Sequence, residues 1–99
     1  MRQIRVLSLA QGDLRQGRAF YEQQQPGIGD YFLDSLFSDV DALLLHAGVH
    51  EQHFGYYRAL SKRFPYAIYY RLTNDEIQVW RILDCRSHPR RKRRALAPE

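Results

Sequence analysis

Cysteine is almost missing from this chain. Cys85 is the only one, so neither an internal disulfide nor a zinc site built on cysteines can form. Long apolar runs are missing too. The first ten residues interleave Arg2, Gln3 and Arg5 with single apolar residues, which is not the unbroken apolar stretch of a signal peptide. Nowhere do roughly twenty apolar residues follow one another, as a membrane-spanning helix requires. These absences point to a cytoplasmic protein with no membrane partner. Length is also in short supply. With 99 residues the chain is read as one domain, 1–99, with one modest core and no room for a separate cofactor domain. No cofactor, metal or small-molecule substrate is expected.

What is present makes a fold. Hydrophobic residues form 44% and aromatics 13%, including seven Tyr and five Phe, which excludes a disordered chain. The net charge of +4 is unevenly spread. Acids outnumber bases in residues 1–51, where Arg2, Arg5, Arg15 and Arg18 face seven Asp and Glu. Residues 52–99 reverse this, with eleven Lys and Arg against Asp75, Glu76, Asp84 and Glu99. Such asymmetry turns the second half toward something anionic, either nucleic acid or an acidic protein.

Periodicity places the elements. Residues 3–9 read as a strand with apolar side chains on both faces. A helix over 11–25 sets Ala10, Leu14, Gly17 and Tyr21 on one side and is ended by Pro26-Gly27. A second helix runs from Gly29 or Asp30 to Ala47. Its stripe is Phe32, Leu36, Val40 and Leu43 or Leu44, widened by Leu33 and Phe37, and Gly48 stops it. Helices joined so briefly pack as an antiparallel hairpin. From Tyr56 the period becomes two, broken at Phe64-Pro65 and again by the polar turn Thr73-Asn74-Asp75-Glu76. In the last strand, alternation puts Ile77, Val79, Arg81 and Leu83 on one face and Gln78, Trp80 and Ile82 on the other. The expected fold is α+β, in the order β-α-α-β-β-β: a helical hairpin on a small twisted antiparallel sheet of four strands. The other sheet face stays partly open and basic. A positive tail at about 89–99, densest at Arg90–Arg94, is either a short helix or disordered.

Specific words of sequence add to this order. Residues 10–22, with Asp13-Leu14 and Phe20-Tyr21-Glu22, resemble the first helix of RelE/ParE toxins, and "PGIGDYFLDSL" at 26–36 resembles the start of their second. "RFPYAIYY" at 63–70 resembles their central strand, and "ILDCRSHP" at 82–89 the end of their last strand. The resemblance implies the toxin of a type II toxin–antitoxin pair, held inactive by a cognate antitoxin. It also implies one of two targets. RelE-like members cut messenger RNA on the ribosome, whereas ParE-like members poison DNA gyrase and are not ribonucleases. An inactive toxin-fold binding protein is a third reading.

Metal-free RNA cleavage needs a base, an acid and cations around the phosphorus. Arg63, Arg86 and His88 are the candidates for that work; His88 suits acid or base chemistry because histidine titrates near neutrality. The order Cys-Arg-x-His at 85–88 resembles the end of a ribosome-dependent branch that places a tyrosine after its histidine. Pro89 stands there in this chain and has no proton to transfer. The ending is closer to the Arg-x-Asp-Pro of ParE-like members, which favours that branch. Under it, Arg58, Arg63, Arg81, Arg86 and His88 become target-binding residues. Blander roles stand beside each signal. The tyrosines suit base stacking, but the half-buried positions of a sheet account for them more simply. His88 reads more simply as a loop residue before proline, since Asp84 is the only carboxylate nearby. His46, His50 and His53 read as a solvated loop, since Gly48 interrupts any helix that would align them on a metal.

Overall fold

A computed structural model describes residues 2–97. The chain runs β1 (Gln3–Val6), α1 (Ser8–Gln24), α2 (Ile28–Asp41), α3 (Leu43–His46), β2 (Gln52–His53), β3 (Tyr56–Leu60), β4 (Tyr66–Leu72), β5 (Glu76–Asp84) and α4 (Pro89–Leu96). The strands form one sheet in the order β1-β5-β4-β3-β2. Strands β2 to β5 are antiparallel neighbours, as the meander pattern predicts. β1, however, pairs parallel with β5, matching Ile4 to Ile77 and Val6 to Val79. The sheet is therefore mixed and has five strands, rather than wholly antiparallel with four. Alternation reports faces, not direction, so the sequence pattern was silent on this point.

The helical hairpin lies on one sheet face. Ala10, Leu14, Phe32, Leu36, Val40 and Leu43 are buried against Ala59, Tyr66, Ile68, Tyr70, Ile77, Val79 and Ile82. Two contacts draw the hairpin tight. A Cβ on Gly17 would meet the Phe32 ring at 2.5 Å, so only glycine lets that ring lie on the α1 backbone. The Glu22 carboxylate accepts the Gly29 N–H at 2.9 Å and the Gly27 N–H at 3.0 Å. Gly27 has no side chain with which to cap α2, and Glu22 supplies both the acceptor and the negative charge that a helix N-terminus favours.

Three expectations about element boundaries and register also needed correction. The strand placed at 3–9 ends at Val6, and α1 starts at Ser8. The Leu7 N–H closes the ladder on Val79 O, while Leu7 O accepts the Gln11 N–H of the new helix. The second helix is two: α2 ends at Asp41 and the single turn α3 follows a bend at Ala42, which leaves Leu44 exposed. Finally, strict alternation along β5 fails at a bulge. Tyr69 pairs with Arg81 and Tyr70 with Val79, so Trp80 has no partner. That extra residue turns Ile82 onto the helix side and sends Leu83 to the other.

The tail is a helix over 89–96; its last two residues, 98 and 99, lie outside the described residues. Pro89 occupies the first turn, where its missing N–H has no role. Leu96, 1% exposed, enters a second small core with Tyr56, Ala67 and Tyr69, packed by Trp80, Leu83 and Cys85. The face expected to be open is thus partly covered by α4.

Candidate target-binding surface

Where α1, the end of β5 and α4 converge there is a cleft of about 320 Å³, lined by Asp13, Tyr66, Arg81, Asp84, Arg91 and Lys92 among others. Arg81 forms its floor rather than its rim. Its Nε and Nη2 donate to the two oxygens of Asp13, both at 2.8 Å, and Nη1 donates to Ala95 O at 3.3 Å. Asp13 also accepts the Ile82 N–H at 3.0 Å. The two side chains are only 19% and 9% exposed. Arg81 therefore joins α1, β5 and α4, and most of its donors are already used inside the fold.

Arg86 is exposed just past β5 and is bound to Asp84, which lines the cleft. Asp84 accepts from its Nε at 3.0 Å, its Nη2 at 2.7 Å and its backbone N–H at 2.8 Å. Hydrogen bonding from Arg86 holds the Asp84 carboxyl below the usual carboxylate range, and Asp84 in turn raises the Arg86 guanidinium. Burial first, then the Asp84 charge, pushes the neighbouring Tyr66 hydroxyl up to about 12, so it stays protonated at neutral pH. His88 is exposed, and its Nδ1 accepts the Arg90 N–H at 3.1 Å. It is the side-chain cap of α4, a role usually taken by Ser, Thr, Asp or Asn. The carboxylate nearest to it in sequence, Asp84, is occupied by Arg86.

Arg58 and Arg63 lie apart from the cleft. Arg58 is on β3, opposite Tyr69 on β4, and its guanidinium partly offsets the rise that burial gives the Tyr69 hydroxyl. Arg63 is exposed in the loop between β3 and β4. The five residues singled out in the sequence thus divide. Arg81, Arg86 and His88 lie on or just past β5, while Arg58 is on β3 and Arg63 in the β3–β4 loop.

Sequence reasoning missed Asp13, Lys92 and Arg71. Asp13 had a signal: an arginine flanked by Trp80 and Ile82 in a strand interior calls for a buried carboxylate, and an acid beside the α1 stripe was available. Lys92, whose Nζ donates to Cys85 O at 2.7 Å, was hidden in the charge run. Arg71 stacks 4.3 Å over the Tyr56 ring and 5.6 Å from that of Trp80. Tyr56, Tyr66, Tyr69 and Tyr70 are buried sheet residues, so none of them presents an open stacking face. The histidines part company. His46 is exposed on α3 and His53 is on β2, while the His50 ring bonds the Tyr70 hydroxyl, which also accepts the Gly48 N–H at 2.9 Å. On the opposite flank, Val6, Leu14, Leu33 and Phe37 line an apolar hollow of about 340 Å³, with Gln11 and Arg15 at its rim. No helix among the described residues is long and apolar enough to cross a membrane.

Residues 4–89 match the model of the ParE toxin family, described as the ParE toxin of the type II toxin–antitoxin system parDE. The fold is similar to that of a solved chain from the chromosomal ParDE system of P. aeruginosa. The two share 21% identity with a TM-score of 0.74, over 83% of this chain and 94% of that one. No curated protein matches by sequence.

Proposed function

We propose, from the premise that this chain belongs to the ParE toxin family of type II toxin–antitoxin systems, that it arrests growth by binding DNA gyrase and is not itself a ribonuclease. Gyrase is the target that likeness to the ParE-like branch implies. The observation that carries the non-enzymatic reading is the commitment of His88. Its Nδ1 caps α4, and Pro89 holds the next position. With Nδ1 accepting, the ring proton is carried on Nε2, but cleavage also needs a second proton-transfer group, which Pro89 is not, and the carboxylate nearest in sequence, Asp84, is held by Arg86. Of the cations singled out in the sequence, Arg86 is engaged by Asp84 and Arg81 by Asp13. Arg58 and Arg63 remain as the side chains best placed to meet a protein target, with Arg86 exposed just past β5. Arg81 then supports the surface rather than contacting the target.

A type II system pairs its toxin with a cognate antitoxin. The hollow of Val6, Leu14, Leu33 and Phe37 suits the apolar side of an amphipathic antitoxin helix, and Arg15 at its rim suits an acid on that helix. Burying a few apolar side chains there, each contributing on the order of 1.5–3 kcal/mol, would hold such a segment.

Pulse-labelling after induction without antitoxin tests the reading. DNA synthesis is expected to fall before protein synthesis, and purified chain is expected to inhibit gyrase supercoiling of relaxed plasmid. Arg58→Ala together with Arg63→Ala should weaken both effects without altering the melting temperature. If protein synthesis falls first and messenger RNA is cut on the ribosome, the gyrase reading is wrong and His88 returns as a catalyst.

A further inference from the structure

The helix α4 carries five cations in eight residues, Arg90 to Arg94, yet is held to the fold by only a few contacts. Leu96 is buried, Lys92 donates to Cys85 O, and Ala95 O accepts from Arg81. At about 100° per residue, Lys92 and Leu96 share the side facing the sheet. Arg90, Arg91, Arg93 and Arg94 spread over an arc of roughly 160° on the opposite side. All four are exposed, and no carboxylate of the described residues forms an ion pair with any of them. The first turn contains no acid, and Arg90 and Arg91 stand at the positive end of the helix dipole. The arrangement is self-repelling, and a polyanion laid on the outer face would relieve it.

We propose that the outer face of α4 is a docking surface for the phosphate backbone of duplex DNA, separate from the protein–protein contact with gyrase proposed above. Three features favour nucleic acid over an acidic protein, and duplex over single strand. First, the arc offers charge alone. Its one large apolar side chain is spent on the protein's own core, whereas protein partners meet around a desolvated apolar centre. Second, four of the five cations are arginine, whose planar forks match phosphate oxygens. Third, the rings on this face are closed to bases. Tyr56 and Tyr69 are buried, and the Arg71 guanidinium lies over Tyr56 and beside Trp80. Across the cleft α1 adds only Phe20, and one open ring is not the row on which successive bases stack. An exposed helix suits the wide major groove and flanking phosphates of B-form DNA better than the deep, narrow groove of A-form RNA. Asp34 and Asp41 of α2 belong to the helical layer across the sheet, so the molecule's charge would also orient it on approach.

The test is fluorescence anisotropy of the full chain with a labelled duplex of arbitrary sequence about two helical turns long, titrated between about 50 and 200 mM salt. Four phosphates neutralised predict a slope of log K against log salt of about −3.6, and so a loss of roughly a hundredfold in affinity across that range. Arg90→Gln, Arg91→Gln, Arg93→Gln and Arg94→Gln combined should abolish that binding while the thermal melt is kept or raised, because the repulsion is removed. Gyrase inhibition by the same variant in the absence of added salt steps keeps the two proposals apart. Supercoiling inhibition that survives while duplex binding is lost supports both. The proposal is overturned if the variant binds duplex as tightly as the parent chain. It is also overturned if single-stranded RNA of equal length binds as tightly as the duplex, or if a polyglutamate peptide of equal charge displaces it, which would identify the face as a site for an acidic protein.

Discussion

Asp13 on α1 and Arg81 on β5, 68 positions apart in sequence, form a two-point ion pair beneath the cleft, with both bonds at 2.8 Å. The pair does three things at once. It ties the first helix to the sheet, fixes the β5 bulge through the Ile82 N–H, and reaches α4 through Ala95 O. A charge so placed is well satisfied with its partner and costly without it.

The first prediction follows from that asymmetry. Asp13→Ala leaves the Arg81 guanidinium largely buried and unpaired, and should cost about 3–5 kcal/mol in urea unfolding. Asp13→Ala combined with Arg81→Met should recover a good part of the loss, because no buried charge is then left over. If the double variant is no more stable than the single, the pair is not the linchpin described. Toxicity lost with Arg81→Ala should track this instability rather than a missing target contact.

A second prediction concerns the hairpin. Gly17→Ala would bring a Cβ to 2.5 Å from the Phe32 ring, which is fully buried and has nowhere to turn. Destabilisation of about 1–3 kcal/mol is expected in thermal or denaturant melts, as for other overpacked cores. Phe32→Leu, damaging alone, should cost less in the Gly17→Ala background than in the parent. Simple additivity of the two would show that ring and glycine do not meet as described.

How far the sequence disclosed these features depended on the kind of signal. Period-3.6 stripes identified the hairpin down to Ala10, Leu14, Phe32 and Leu36, because each burial position is repeated several times. The bulge at Trp80 is a single event. One unpaired residue reversed the faces of Ile82 and Leu83, and nothing in alternating apolar residues marks where such a slip occurs. The parallel pairing of β1 was equally silent. In the site, residue types were legible and their engagements were not. The sequence put Arg86 and His88 just past the last strand, but that Asp84 holds one and the Arg90 N–H engages the other is set by geometry of a few residues. Leu96 lay at the end of a charge run that otherwise has no apolar period, so α4 could not be told from a disordered tail.

Acid sensitivity should come partly from the loop after α3. The Tyr70 hydroxyl accepts the Gly48 N–H and is hydrogen-bonded to His50 Nδ1, as donor or acceptor according to the imidazole tautomer. Burial, and secondarily the charge of His46, holds the His50 pKa below its ordinary 6.5. The unfolded chain therefore takes up the His50 proton more readily than the folded one. The stabilisation is complete above about pH 6.5 and is lost as pH falls through the folded value. Glu51 and His53, the other titratable groups of this segment, pair loosely with each other at 3.7 Å. The melting temperature should fall between about pH 7 and 5, and His50→Gln should flatten that part of the profile. Equal pH dependence in both proteins would remove His50 from the explanation.

His88 separates capping from catalysis most directly. As a cap it contributes one acceptor to the Arg90 N–H, and other short polar side chains do this as well or better. His88→Asn should therefore retain toxicity and the α4 docking, with the melt unchanged or slightly raised. His88→Ala removes the acceptor and should cost about 0.5–2 kcal/mol, confined to α4. Hydrogen exchange would locate that cost as faster opening of the amides of residues 90–96, with the sheet amides unchanged. A catalytic histidine gives the opposite pattern, since asparagine and alanine would both abolish activity whatever happens to the helix. Growth arrest by the two variants, read beside exchange at α4, thus distinguishes a residue that orders the surface from one that acts on a substrate.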